Sequence, residues 1–402
     1  MSTVTQVQPA QRSAHSRSRS QLLSGPIALA LLSIFCLLTS FYLLVSVTPL
    51  YAATAGAGTA GAGLVTGVLL LGTVAAELAS SYLMRRYGYR TVLAAGALLL
   101  GIPSLAMLAH GSMVIIVIAS AIRGFGFGLG TVVTGALAAV LVPANRRGEG
   151  LGLFGIADTV PGVVALPSGL WLAGHVGYAA VVILTAATAL VPLAAIPWLP
   201  GRTDQADDHA ASSCLLAALQ QPNQLRPALI FAASTVAGGV VVSFLPLAAG
   251  TSRNLAAIGL LAQALTATIG RWWAGRFGDR HGHARALMPA LVTGAIGMTA
   301  MIWLASPVAL IAGMSLFGAG FGMLQNSTFV LMVERMPASG VGTASAIWNL
   351  AYDVGYGAGP AAFGLFAGFT GYPVAFALSG LLMVVALPAA RRERSVTSRR
   401  PG

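Results

Sequence analysis

Gly275-Arg276-Phe277-Gly278-Asp279-Arg280-His281-Gly282-His283-Ala284-Arg285 is a short polar stretch set between two long apolar runs. A related stretch stands 194 residues upstream, leading from Ser81 through Arg85-Arg86-Tyr87-Gly88 to Arg90. Arg86-Tyr87-Gly88 matches Arg280-His281-Gly282 at that offset, and Gly126-Phe127-Gly128 matches Gly320-Phe321-Gly322. Pro143 matches Pro337, and with one residue inserted Asp158 and Gly162 match Asp353 and Gly357. The marks recur in the same order, so the chain repeats one unit twice. Parallel repeats of this kind place a substrate cavity between two halves that rock around it.

Each unit carries six apolar runs. The first, from Gly25 to Tyr51, is too long for a signal-peptide core, so it reads as a spanning helix. Further spans are expected at 59–84, 91–109, 113–142, 150–173 and 178–199, then at 226–249, 255–275, 287–305, 307–333, 341–368 and 372–390. Each is long enough to cross an apolar layer of roughly 30 Å at about 1.5 Å per residue. The expected fold class is an all-α membrane protein with twelve transmembrane helices in two pseudo-symmetric six-helix bundles. The first bundle takes 25–199 and the second 226–390. A Ser/Gln/Arg-rich tail (1–24), expected to be disordered, a polar linker with Asp204, Asp207 and Asp208 (200–225), and a basic tail (391–402) complete the chain.

Composition supports a lipid environment. Of 402 residues, 56% are hydrophobic and 8% charged, with a mean hydropathy of +0.82; a soluble protein needs far more charge to cover its surface. The 49 glycines suit helices packed closely in a membrane. Cys36 and Cys214 form no metal spacing and no disulfide framework. All six histidines (His15, His110, His175, His209, His281, His283) fall in expected tails, loops or span ends, which gives little support to a buried metal site or a His-based hydrolase. Without a single lysine there is no Gly-x-x-x-x-Gly-Lys loop for ATP. No cofactor is expected. An enzyme would need a clustered nucleophile and base, and a transporter-like sensor a large extramembrane domain; neither is in the sequence.

The net charge of +12 could suggest nucleic acid, but its placement says otherwise. All 22 basic residues are arginine, a usage that fits a GC-rich bacterial genome. With the N-terminus inside, 19 fall in expected cytoplasmic segments, only Arg253 lies outside, and Arg123 and Arg271 lie within spans. Arginines gathered on one side mark the cytoplasmic face. The chain is therefore expected in the cytoplasmic (inner) membrane with both termini cytoplasmic, and no nucleic-acid partner.

Few polar residues fall within spans. Arg123 lies about ten residues, roughly 15 Å, from the outer end of its helix, near the midplane. A guanidinium there needs a partner and a purpose. The candidates are Asp158 and its repeat counterpart Asp353; pinning helix 4 to helix 5 through a carboxylate is the plainer reading. On span 11, Asn349, Asp353, Tyr356 and Pro360 recur at four, three and four residues and share one face, which should line the cavity. Acids at that depth could exchange protons as the cavity opens to either side, or sit fixed in salt bridges, although one midplane arginine does not serve two acids. Glu77 and Arg271 occupy repeat-equivalent places 194 residues apart. They could pair across the halves or snorkel separately toward water. Gln263, Gln325, Asn326, Trp348 and Tyr352 are further candidates for the cavity wall.

The 275–285 stretch resembles the loop signature of the major facilitator superfamily: a Gly, Asp-Arg four residues on, then Gly and a basic cluster. In the first-half copy Ser81 replaces the glycine and Arg85 the aspartate, while Arg86, Gly88 and Arg90 remain. Arg123-Gly-Phe-Gly126-Phe-Gly128, followed by Pro143 and Arg146-Arg147-Gly-Glu149-Gly, looks like the family's fourth-helix arginine motif, linked to proton coupling. Pro161-Gly162 and Pro167-Ser168-Gly169 loosely echo the glycine-proline signature of its antiporters, and read equally well as kinked packing.

The resemblance runs from Gly25 to about Ala390 and is strongest to proton-coupled drug-efflux antiporters. It implies Asp353 and Asp158 as protonatable groups tuned by Arg123. It implies a cytoplasmic gate from Gly275, Asp279, Arg280, Gly282, Arg285, Arg86, Gly88, Arg90, Arg146 and Arg147, with Glu77 and Arg271 beside it. Asp279 should aim at the start of span 5, around Arg147 to Gly150. The alternative is a symporter importing a sugar or organic anion, in which Arg123 binds the anion. The expected partners are a small-molecule substrate, protons and the lipid bilayer, and the expected working unit is a monomer.

Overall fold

The computed structural model describes residues 24–108, 112–142, 146–201, 221–250, 252–337 and 340–397, without the side chains of 147, 148, 151, 396 and 397. The tail 1–23, most of the linker (202–220), the segment around Pro143 and the side chain of Arg147 lie outside the described residues.

α1 runs over Gly25–Val45 and on through Val47–Ala52, ending in a π stretch, Ala53–Ala57. The helical run Gly58–Ala106 breaks at Gly88, where φ 78° and ψ 166° turn the chain, so 58–87 is α2 and 89–106 is α3. α4 is Met113–Leu141, α5 Arg147–His175 and α6 Tyr178–Leu190. The second half contains α7 Pro222–Ala248, α8 Arg253–His281, α9 Leu287–Ala300, α10 Pro307–Glu334, α11 Val341–Thr370 and α12 Tyr372–Val385. A last helix, Leu387–Thr397, continues α12.

Among the described residues nine helical stretches are long and apolar enough to cross a membrane. One of them, Gly25–Ala106, contains the three helices α1 to α3. α11 has the length but falls short in apolarity because one side of it is polar, and that side packs inward with Asp353 and Tyr356 buried. The twelve spans are therefore all present. Large apolar side chains such as Leu71, Ile269 and Val308 cover the outside, a surface that suits lipid.

One sequence expectation is corrected and two boundaries are refined. The 275–285 signature is not a loop: Gly275 to His281 form the last two turns of α8, and the chain turns only at Gly282, φ 87°. Glycine is what that left-handed corner requires, and Gly88 makes the same corner 194 residues earlier. α7 begins at Pro222, inside the expected linker, because proline is favoured in a first turn. The expected tail is helical to Thr397. Its Glu393, 1% exposed, pairs with Arg335 at 2.5 Å, and Arg335 also donates to Asn223 O at 2.9 Å. This buried pair fixes the C-terminal helix to α7 and to the end of α10.

The repeat is a repeat of packing. A side chain at Gly124 would meet the backbone carbonyl of Leu69, and one at Gly318 that of Gln263, which lies at the same 194-residue offset from Leu69. Gly126 meets the backbone at Leu99 and Leu100, and Gly320 meets Ala290 O; Gly128 faces Thr73 O as Gly322 faces Ala267 O. Three glycines on α4, and three on α10, thus bring the backbones of α2 and α3, or α8 and α9, into contact.

The halves join where α2 meets α11 and α5 meets α8. Gly63 packs on the backbone of Pro360 and Gly364, Gly67 on Ala361, and Gly364 on Thr59. Thr66 Oγ1 lies 3.0 Å from Ser243 Oγ of α7. Arg253 donates to Ala173 O at 3.3 Å and sits 5.8 Å over the Tyr178 ring. All these contacts are at the end away from the arginine-rich ends of the helices.

Candidate functional site

A cavity of about 80 Å³ lies between the halves, room for several waters. Its walls include Tyr42 of α1, Asp158 and Thr159 of α5, Gln263 and Arg271 of α8, Gln325 of α10, and Tyr352 and Tyr356 of α11. Of the expected wall residues, Gln263, Gln325, Tyr352 and Tyr356 are in place. Asn326 does not line the cavity, because one residue on a helix turns about 100° and Gln325 takes the inward position. Trp348 is also outside it: its Nε1 donates to Thr328 Oγ1 at 3.1 Å and its ring stacks on Phe231. Asn349, one turn before Asp353, is half-buried and not on the wall.

Tyrosines make the aromatic side. Tyr352 and Tyr356 stack at 5.3 Å, as four-residue spacing allows, and Tyr42 adds a third ring to the wall from the other half. Tyr42 escaped the sequence reading because it is embedded in an apolar run; the signal would have been its place one turn from Ser46 and beside Phe41 on a helix that must face the partner half.

The charged residues are arranged otherwise than expected. Glu77 of α2 does not pair with Arg271. Its carboxyl group meets that of Asp353 on α11, within hydrogen-bonding reach across the halves. Arg271 donates instead to Gln325 Oε1 at 2.6 Å and to Thr159 Oγ1 at 3.4 Å. Asp158, beside Thr159, is accessible within the cavity it shares with Arg271, without a direct ion pair. Each member of the repeat pair 77/271 therefore faces a member of the repeat pair 158/353, at the two junctions related by the pseudo-symmetry.

Arg123 meets neither acid. Fully buried, it donates to Leu100 O at 3.3 Å and Ser40 O at 3.5 Å, and its Nη1 has no partner among the described residues. Rotation of α4 decides this: Arg123 points between α1 and α3, into its own bundle. Two carbonyl oxygens take part of the guanidinium's hydrogen bonding, and no carboxylate among the described residues faces it.

The expected gate residues are distributed over one end of the molecule. Asp279 is 77% exposed and lies 3.7 Å from His283 Nε2 of its own half; it does not touch Arg146, which pairs with Glu149 at 2.8 Å. Arg90 donates to Leu199 O at 2.6 Å, tying the Gly88 turn to the end of the α6 segment. Arg86 leans over the Tyr87 ring at 5.5 Å. Gly275 packs near Asn326, Arg280 is exposed, and Arg285 lines a basic pocket with Arg391 and Arg394. Among the described residues no group of three His, Cys, Asp or Glu could hold a metal.

Comparison with known proteins places this architecture. An uncharacterized MFS-type transporter of Salmonella typhimurium is 33% identical over 110 residues, which is 27% of this chain; the match spans 28% of that relative's length. Among solved structures, the nucleoside transporter NupG aligns with a TM-score of 0.72 at 15% identity, covering 93% of this chain and 99% of that one. The inward-open xylose transporter XylE from E. coli gives 0.72 at 16% identity, covering 90% and 94%. A bacterial homolog of the human lysosomal transporter Spinster, inward-facing and occupied, gives 0.75 at 13% identity, covering 92% and 96%. At these identities the likeness is one of fold. The model of the Major Facilitator Superfamily matches residues 30–360 and 228–402, nearly the whole chain, and the chain belongs to that family of membrane transporters.

Proposed function

We propose that this protein is a proton-coupled secondary transporter that exports a drug-like or metabolite substrate by alternating access, as a monomer in the cytoplasmic membrane with both termini inside. The observation that carries the coupling is the carboxyl pair Glu77–Asp353 across the two halves. A hydrogen bond between two carboxyl groups needs one proton; two carboxylates at that distance repel. Proton loss would drive α2 and α11 apart, and proton gain would let them rejoin. Asp158, accessible in the cavity with Arg271 close by, is the second site at which substrate and proton could compete.

The arginine-rich ends are assigned to the cytoplasm by charge placement, and the contacts at Arg253 and Gly63 would then close the outer side. Asp279, without a contact to the other half among the described residues, would serve as a latch at the arginine-rich end when that end closes. The resemblance to efflux antiporters in the Arg123 and Pro161-Gly162 motifs supports export.

Import of a polar solute is the second reading. It is favoured by the amides and tyrosine hydroxyls of the wall and by the fold likeness to a D-xylose-proton symporter. Binding of an anion by Arg123 does not fit, since that side chain is buried away from the cavity. Everted vesicles with an acid interior separate the two readings. Export predicts substrate accumulation driven by the gradient and abolished in Asp353→Asn, with counterflow retained. Gradient-driven transport at the wild-type level in Asp353→Asn would exclude the carboxyl pair.

A further inference from the structure

At the arginine-rich end, away from the central cavity, a pocket of about 440 Å³ opens between the Gly282 turn and the C-terminal helix. It is lined by His281, Gly282, Ala284, Arg285, Arg391, Arg394 and Ser395, with three arginines and no acid among the lining residues. The acids carried by these two elements are turned elsewhere. Glu393 is buried against Arg335, and Asp279 lies toward His283. His281 Nδ1 donates to Phe277 O at 3.3 Å, which leaves Nε2 as the ring nitrogen available to a ligand. Guanidinium groups gathered in this way match the oxygens of a phosphate group.

A second observation says where that phosphate comes from. Up the outside of α8, Trp273 stacks on Phe277 at 4.8 Å, and Phe277 on His281 at 4.7 Å. Trp273 is 42% exposed and Trp272 is 62% exposed, with Arg276 over its ring at 5.1 Å. An aromatic ladder at four-residue spacing thus climbs about 12 Å from the pocket up the apolar outside of the helix. Exposed tryptophans beside arginine mark the level of lipid headgroups. A pocket at that level, with an apolar track leading away from it, fits a molecule that has a phosphate at one end and acyl chains at the other.

We propose that the His281–Arg285–Arg391–Arg394 pocket holds the headgroup of an anionic phospholipid, with its chains along the Trp273–Phe277 ladder. The lipid would bridge the Gly282 turn and the C-terminal helix, the element that Glu393 and Arg335 fasten to α7 and α10. The proposal does not depend on what the transporter carries or in which direction.

The test uses the purified full-length protein in detergent, mixed with equal amounts of phosphatidylglycerol and phosphatidylcholine and examined by native mass spectrometry. Phosphatidylglycerol should be retained preferentially. An arginine near an anionic headgroup is worth about a fivefold factor, so Arg391→Gln with Arg394→Gln should cut the preference about 25-fold. Arg392→Gln, outside the pocket lining, should leave it unchanged. If the double variant does not fold, Arg285→Gln alone should show the roughly fivefold loss. Equal retention of the two lipids by the wild type overturns the proposal. So does an equal loss in Arg392→Gln, which would mean diffuse surface charge, or displacement by an equal concentration of glycerol 3-phosphate, which would mean a site for soluble phosphates.

Discussion

Glu77 meets Asp353 across the two halves, although its own repeat counterpart is the cation Arg271. The crossing follows from topology. The second helix of one half packs on the fifth helix of the other, so residues 77 and 271 are separated into two junctions and each faces an acid there. One junction holds two carboxyl groups and the other a guanidinium and a carboxyl group. Two equivalent places have thus acquired different chemistry: on the proposed coupling, one junction would come apart when a proton leaves, and the other would keep opposite charges near each other.

Glu77→Gln removes that repulsion while keeping shape and hydrogen bonding. Gradient-driven transport should fall at least tenfold, equivalent to about 1.4 kcal/mol of lost driving interaction, while counterflow at equal pH is preserved. Flux measured in both modes in proteoliposomes decides it. A parallel loss in the two modes would make Glu77 a structural residue rather than part of the coupling.

At the other junction, Asp158 and Arg271 should be energetically coupled through the cavity. Asp158→Asn leaves the guanidinium without its nearby negative charge, at a cost of about 0.5–1 kcal/mol. Arg271→Gln in the same chain should recover part of it. Thermal unfolding midpoints of the wild type, both single variants and the double variant complete the cycle. Additivity within about 0.5 kcal/mol would show that the two groups act independently.

Arg123 should prove a packing residue. Its bonds go to the carbonyls of Leu100 and Ser40 within one bundle, and a buried polar group of this kind can be replaced by an apolar one of similar length at little cost. Arg123→Met should shift stability by no more than about 1.5 kcal/mol, whereas Arg123→Ala, which leaves a void, should cost about 2–5 kcal/mol. The pH dependence of transport should be the same in Arg123→Met as in the wild type. A displaced pH profile in a folded Arg123→Met protein would restore its expected role as the tuning charge.

What the sequence made legible is what repetition and apolar length encode. The corner glycines Gly88 and Gly282, the glycines of α4 and α10, and the polar side of α11 were all readable, because each is a local demand of backbone or lipid. The partners of Arg123 and Glu77 were not. Which way α4 turns Arg123 depends on how three helices pack, and a rotation of one residue decides between the cavity and the bundle interior. The place of Arg123 about ten residues into α4 was readable, while its direction was beyond reach. The 275–285 signature was recognisable as a motif, yet its helical form depends on α8 continuing past the apolar layer into the polar region, which hydropathy does not report.

The closure at the end away from the arginines rests on two independent features, and disturbing either should open it. Arg253 is the single arginine among the described residues at that end of the molecule. Its guanidinium reaches Ala173 O in the last turn of α5, where unpaired carbonyls and the negative end of the helix dipole favour a cation. The group is partly exposed, so solvent weakens the contact to about 1–2 kcal/mol, equivalent to a population shift of roughly 5- to 30-fold. Gly63 acts by shape alone: a methyl group there would run into the backbone of Pro360, which has no rotamer by which to withdraw. Arg253→Ala and Gly63→Ala should therefore both raise labelling of a cysteine placed at Val242 on the cavity wall. The assay uses a membrane-impermeant thiol reagent applied from that side, in a protein whose own Cys36 and Cys214 are replaced by serine. An increase of about fivefold or more is expected in each variant. Gly135→Ala, where a side chain would meet open space, should label like the parent. If Gly63→Ala also labels like the parent, the α2–α11 contact is not what seals this end, and the seal would have to be sought between α5 and α8 alone.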